Sequence, residues 1–302
     1  MKKLFITILG LILSLSLFSC DSKKEKIDFE SEVKVVVPNG LPFMAVSNLL
    51  DYDKVTVQNV TGNEIPAALT KGEADIVVAP INAGAKLISA GKANYKLATP
   101  ITFNNAFLIT SKLNSRVINQ KSDLSGVTIH AFNEAGIPAS ILKYLFTSSD
   151  SDASNVDYTL SSSAEIYGTY KDATLASEFV LICEPELSKL DKSHYDIYDL
   201  KDLFGYNIPQ AGLFVKNTEN KENINKVLTL VEQNISYLNT NPQDFAKAVV
   251  SKHTLFSTWG EELIANLIPT AGIKYELNKE DVTRVLTLLG VNTFSDEYYY
   301  QK

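Results

Sequence analysis

Cysteine and histidine are scarce in this 302-residue chain, with two of the first and three of the second. His130, His194 and His253 stand far apart, without the short spacings that close a metal site, so no metal is expected. There is no Gly-x-Ser-x-Gly elbow and no phosphate-binding loop. No constellation for catalysis emerges, and neither a catalytic residue nor a cofactor is expected. Positive charge is also in deficit: 28 Lys and Arg against 35 Asp and Glu leave a net charge of −7. Such a chain has no electrostatic basis for binding nucleic acid.

The apolar run Leu4–Leu17 is too short for a comfortable transmembrane helix. With Lys2 and Lys3 ahead of it, it reads as a targeting segment over residues 1–19. Leu17-Phe18-Ser19-Cys20 has the form of a lipobox, with Leu three positions before a cysteine and a small residue just before it. Lipidation of Cys20 would place the mature protein on the extracytoplasmic face of a membrane, because two acyl chains hold where one does not. A plain signal peptide with an incidental cysteine is the alternative. Removing residues 1–19 takes away two lysines, so −7 becomes −9 for the mature chain. Residues 20–32 are charged and aperiodic and read as a tether. With Cys20 lipidated, Cys183 has no disulfide partner; it lies in an apolar strand without a basic neighbour and reads as a small core residue.

The remaining length suits two domains or one bilobed unit. Its organising stretch is Gly72–Leu87. Ile76-Val77-Val78 is a β-branched run suited to a strand buried on both faces. Pro80 ends the ladder, and Asn82 is expected to cap a helix that Gly91 closes. A strand, polar elbow and helix start is where open α/β sheets bind ligands, and an ordinary βα turn would look the same. Glu178–Pro185 repeats the pattern, which suggests two similar lobes. These two stretches resemble the "G-x-A-D-I-A-V-x-P" and "D-A-x-x-x-P-E-P" strands of ABC-importer substrate-binding proteins of the nitrate, sulfonate, taurine and thiamine-precursor branch. The first match is close; in the second, Glu178 replaces the usual aspartate and only Glu184-Pro185 is retained.

That resemblance implies an α/β, two-lobed periplasmic-binding-protein type II fold. Each lobe would be a mostly parallel sheet flanked by helices, with two interlobe crossings. The expected lobes are 33–104 plus 213–302, and 105–212. In the first, Val33–Val37 and Val55–Gln58 read as strands, Ala45–Leu50 as a helix, and Thr61–Lys71 as another. Asn39, Gly40, Thr61, Gly62 and Asn82 would then share one sheet edge. Pro100–Asn105 reads as the first crossing, where Asn104 and Asn105 are either ligand contacts or turn formers. In the second lobe, Val127–His130 is a strand and Asn133–Phe146 a helix, whose start offers Glu134, Ala135 and Gly136. Ser161 and Ser162 follow the strand Val156–Leu160, and Ser162-x-x-Glu165 reads equally as a capping box. Glu184 closes the set, Asn207–Gly212 is the second crossing, and Leu213–Val215 the strand returning to the first lobe. Helical spacing covers Ile224–Leu238; Pro242 begins another helix, and Asn278 caps a last one.

Neither lysine nor arginine is among these candidates, while Glu134 and Glu184 oppose an anion. A neutral or zwitterionic organic solute is favoured, packed on Phe43, Phe103 or Phe132. The resemblance implies a monomeric, lipid-anchored protein that binds a small-molecule solute and delivers it to an ABC permease and its ATPase. Two other classes share the scaffold: menaquinone-pathway dehydratases and thiamine-pyrimidine synthases, both intracellular, and modules that feed a signalling receptor.

Overall fold

Short apolar and β-branched runs become strands in the computed structural model of the protein, which describes residues 27–148, 156–172, 178–218 and 220–301. The targeting segment, Cys20 and the start of the tether lie outside the described residues. Ser31–Lys302 forms one unit. In chain order the strands are β1 (Val33–Pro38), β2 (Val55–Val60), β3 (Ile76–Pro80), β4 (Tyr95–Phe103) and β5 (Ala106–Ser111). Then come β6 (Thr128–Phe132), β7 (Val156–Leu160), β8 (Glu178–Cys183), β9 (Tyr195–Asp199) and β10 (Pro209–Lys216). The helices are α1 (Leu41–Ala45), α2 (Ile65–Lys71), α3 (Ile81–Ser89), α4 (Ile137–Thr147) and α5 (Ser163–Tyr170). They continue with α6 (Leu200–Phe204), α7 (Lys221–Thr240), α8 (Pro242–Val249), α9 (Thr254–Leu267) and α10 (Lys279–Leu288).

The strands form two five-stranded sheets of the same design, ordered β2-β1-β3-β10-β4 and β7-β6-β8-β5-β9. In each, three adjacent strands run parallel, and the fourth in order, β10 or β5, runs antiparallel to both neighbours. That odd strand is the one entering from the other sheet: β5 follows β4, and β10 follows β9 and α6. The chain therefore crosses twice between the sheets, and the fold is an α/β architecture of two lobes. Central strands read as apolar runs because helices cover both faces; Ile76, Val77, Val78 and Ala79 are all fully buried. The core continues from Val77 and Phe214 of one sheet, through Val282 and Val285 of α10, to Ile141 of α4 and Leu181 of the other sheet.

Two glycines let backbones approach. Gly84 of α3 lies against the Phe214 ring, which fills the place a Cβ would take. Gly272, with φ +62°, brings its backbone onto Phe103, where a Cβ would collide with the Phe103 carbonyl. The Phe103 N–H donates to the Gly272 carbonyl at 2.8 Å.

Several local expectations change. The first helix begins at Leu41 rather than Ala45, because Pro42 is well placed in a first turn. Asn82 does not cap α3: the helix starts at Ile81, straight after Pro80, leaving Asn82 inside the first turn. Asn133–Gly136 is a turn, and α4 starts only at Ile137. β4 runs through Pro100 instead of breaking there, which an edge strand tolerates. Tyr299 and Tyr300 cover that edge, the Tyr300 N–H donating to the Leu97 carbonyl at 2.9 Å. No helix among the described residues is long and apolar enough to cross a membrane.

Candidate functional site

Strand direction decides where polar loops collect. β1, β2, β3 and β4 all end at one edge of their sheet, and they deliver Asn39 and Gly40, Thr61 and Gly62, Asn82, and Asn104 there. β6, β7 and β8 likewise end at one edge, followed by Glu134 to Gly136, Ser161 and Ser162, and Glu184. The two edges meet at the crossings. Asn104 and Asn105 lead directly from the end of β4 into β5, whose first residue Ala106 lies opposite Cys183 at the end of β8. The Glu184 N–H donates to the Asn105 carbonyl at 3.2 Å. All twelve candidate positions therefore follow the carboxyl ends of strands in one sheet or the other.

Their side chains are not equally available. Glu64 accepts from both the N–H (2.9 Å) and the hydroxyl (2.7 Å) of Thr61, a capping box that occupies Thr61. Glu165 does the same for Ser161, at 2.8 Å to each, and Ser162 caps α5 by accepting from the Glu165 N–H at 3.2 Å. Those carboxylates are held below their ordinary range by the bonds they accept. Asn104 adopts φ 51°, and its Oδ1 accepts from the buried Ile208 N–H at 2.7 Å. Its amide donates to Asn207 Oδ1 at 3.2 Å. Asn104 thus ties one crossing to the other.

By contrast, three helix starts at this edge have no side-chain cap: α1 after Gly40, α3 after Pro80, and α4 after Gly136. Their first N–H groups, with the half-buried Asn82 and exposed Asn39, offer dipoles to an acceptor. Glu134 and Ala135 are exposed beside α4. Phe43 and Phe103 are buried in the core and offer a solute no face; Phe132 is half-buried at the end of β6. Cys183 packs against the core, and burial pushes its thiol far above the ordinary value, which makes it a poor nucleophile. Among the described residues no three His, Cys, Asp or Glu side chains are placed so as to hold a metal ion.

Sequence reasoning missed Thr270. Its hydroxyl, on a short turn after α9, donates to Glu184 Oε1, so the end of β8 is bonded to the segment that follows α9. Glu184 also accepts from the Ser188 hydroxyl at 2.9 Å and the Ser188 N–H at 3.1 Å. Burial raises its carboxyl above the ordinary 4.5, and the Thr270 and Ser188 bonds pull it partly back. A carboxyl raised by folding binds its proton more tightly in the folded than the unfolded state. Folded stability therefore falls as pH rises from about 4.5 through the raised value, a loss absent below that window. Glu184→Gln lacks the fall, so its melting temperature relative to wild type should climb as pH rises above about 4.5 and through the raised value. A constant difference across that range would mean that Glu184 titrates normally.

A groove of about 740 Å³ lies elsewhere, lined by Tyr144, Phe204, Tyr206, Thr283, Arg284 and Leu288 between α4, α6 and α10. It shares no residue with the two sheet edges.

Two sheets of this order, exchanging one strand each across two crossings, constitute the two-lobed periplasmic-binding-protein fold. Solved structures agree. An ABC transporter protein from Parabacteroides distasonis superposes with a TM-score of 0.72 at 19% identity, over 90% of this chain and 100% of its own. The periplasmic aliphatic sulphonate binding protein SsuA from Escherichia coli gives 0.69 at 12% identity, over 90% and 92%. A Candida albicans gene product with the generic periplasmic binding protein fold gives 0.54 at 13%, over 90% and 98%. By sequence, no family model matches the chain. No curated protein matches it either.

Proposed function

We propose that the protein is an extracytoplasmic solute-binding lipoprotein that captures a small polar organic molecule between its lobes and delivers it to an ABC importer. The observation that carries this reading is that the two crossings join the carboxyl edges of both sheets, where three helix starts carry no side-chain cap. No lysine or arginine stands among the candidate positions, so recognition is by backbone N–H groups and amides. That chemistry suits a neutral or zwitterionic solute, which a transporter must release again, better than a bare anion. The likeness to import proteins supports the transport role. Lobes of 33–104 plus 213–302, and 105–212, would close by rotation at the crossings, the solute stabilising the closed state through contacts with both.

Native mass spectrometry of the protein purified without denaturation tests the reading. A retained small molecule, displaced by competing solute, is the expected result; an empty protein that binds no small polar solute would end it. Anchoring has its own test. Cys20→Ala should move the protein from the membrane fraction to the soluble one with solute affinity intact, and retention in membranes after high-salt washing would refute lipidation.

A further inference from the structure

The groove between α4, α6 and α10 joins aromatic walls to charges of both signs. Tyr144 and Tyr206 line it and are 42% and 46% exposed. Both stand edge-on to Phe204, each ring centre 5.6 Å from it, at 83° and 73°. Phe204 is itself buried and forms the corner, and Leu288 of α10 adds an aliphatic wall. Ring surface left in water gains by being covered. The volume of about 740 Å³ falls within the range of small-molecule pockets, about 300–1,000 Å³.

A second, independent observation concerns the charges. Four ionised side chains border the groove: Lys279, Glu280, Arg284 and Asp296. Lys279 and Asp296 are spent on each other, Nζ to Oδ1 at 2.7 Å. Glu280 and Arg284 stand four residues apart on α10, in the order and at the spacing where a glutamate and a cation ordinarily pair. Yet neither forms an ion pair among the described residues. The Arg284 guanidinium lies instead over the Tyr206 ring, 3.6 Å from its centroid. Stacking occupies the face of the guanidinium and leaves its N–H edge open to a carboxylate.

We infer that this groove is a second ligand site, which takes a zwitterionic aromatic amino acid. Its ring packs among Tyr144, Phe204 and Tyr206, its carboxylate meets Arg284, and its ammonium meets Glu280. A ligand carrying both charges on neighbouring atoms suits two opposite charges one helical turn apart. A hydrocarbon would cover the rings and leave both charges unpaired.

The test is calorimetry on the full chain with L-phenylalanine, 3-phenylpropanoate, which lacks the ammonium, and phenethylamine, which lacks the carboxylate. Wild type should bind L-phenylalanine most tightly. Arg284→Gln should weaken L-phenylalanine and 3-phenylpropanoate roughly ten- to a hundredfold and leave phenethylamine within about twofold. Glu280→Gln should weaken L-phenylalanine and phenethylamine to a similar degree and leave 3-phenylpropanoate no weaker. Both side chains are exposed, so both variants should melt within about two degrees of wild type. A wild-type protein that binds none of the three probes would overturn the inference. L-phenylalanine affinities within twofold across all three proteins would also overturn it, since that amino acid would then bind outside the groove. A dimer in native mass spectrometry that Tyr206→Ala dissociates would overturn it too, by assigning the groove to a second copy. Each of these results leaves the solute-binding reading standing.

Discussion

Adding a single methyl group at Gly272 is expected to lower the melting temperature by on the order of 10 °C. Two costs combine. Gly272 holds φ +62°, where an L side chain is strained by about 1–2 kcal/mol. The added Cβ of Gly272→Ala would also meet the Phe103 carbonyl, a backbone atom that cannot swing aside. Overpacking of this kind typically costs about 1–3 kcal/mol more. The loss has a functional side, because Gly272 bonds to the last residue of β4, next to the first crossing. Gly168→Ala is the control: it sits in α5 with open space around the new methyl, and should be neutral or slightly stabilising. Thermal unfolding followed by circular dichroism measures both. Equal melting temperatures for Gly272→Ala and wild type would mean that the Phe103–Gly272 approach is not as close as described.

The second large effect is expected at Asn104. Asn104→Ala leaves the buried Ile208 N–H without its acceptor, at a cost of about 1–3 kcal/mol. It also puts an ordinary Cβ residue at φ 51°, adding about 1–2 kcal/mol. Asn104→Gly removes only the second penalty and should fall between alanine and wild type. Because the bond joins the two crossings, both variants should also bind solute more weakly through a looser hinge. An Asn104→Ala protein with wild-type melting temperature but lost binding would instead make Asn104 a direct ligand contact.

Much of the fold was legible in the sequence because its signals are local. Ile76–Val78 and Val180–Ile182 declare buried strands by composition, and Asn278 declares a helix start that it does cap, accepting from Glu280 and Asp281. Boundaries slipped where a helix started without a side-chain cap, as at Asn82, since the polar residue nearest the turn is then not the first. α9 gave little signal because Gly260 breaks its periodicity at φ 77°. In the site, the edge positions could be read from strand order, but their availability could not. Whether Ser161 faces a solute or Glu165 depends on one rotamer, and the double reading of Ser162-x-x-Glu165 reflects that. The irregular pairing at the start of β10, where Pro209 lies opposite Phe103 and Ala211 opposite Thr102, carried no sequence signal, because a bulge exists only relative to the register of two distant partners.

The exchange of one strand between the sheets has a consequence for the order in which the molecule is made. β10 pairs with β3, residue Phe214 opposite Val77, across a long stretch of chain that contains the whole of the second sheet. Until that stretch has emerged, β1, β2 and β3 lack a neighbour on one side, and β4 has nothing in the sheet to join. Such distant pairings close slowly, since a large loop must be ordered first. The second sheet is drawn from one continuous segment, so it can assemble while the first is still waiting. A chain built this way keeps half of its structure unfinished until almost all of it has been made, and the first sheet is the last to close.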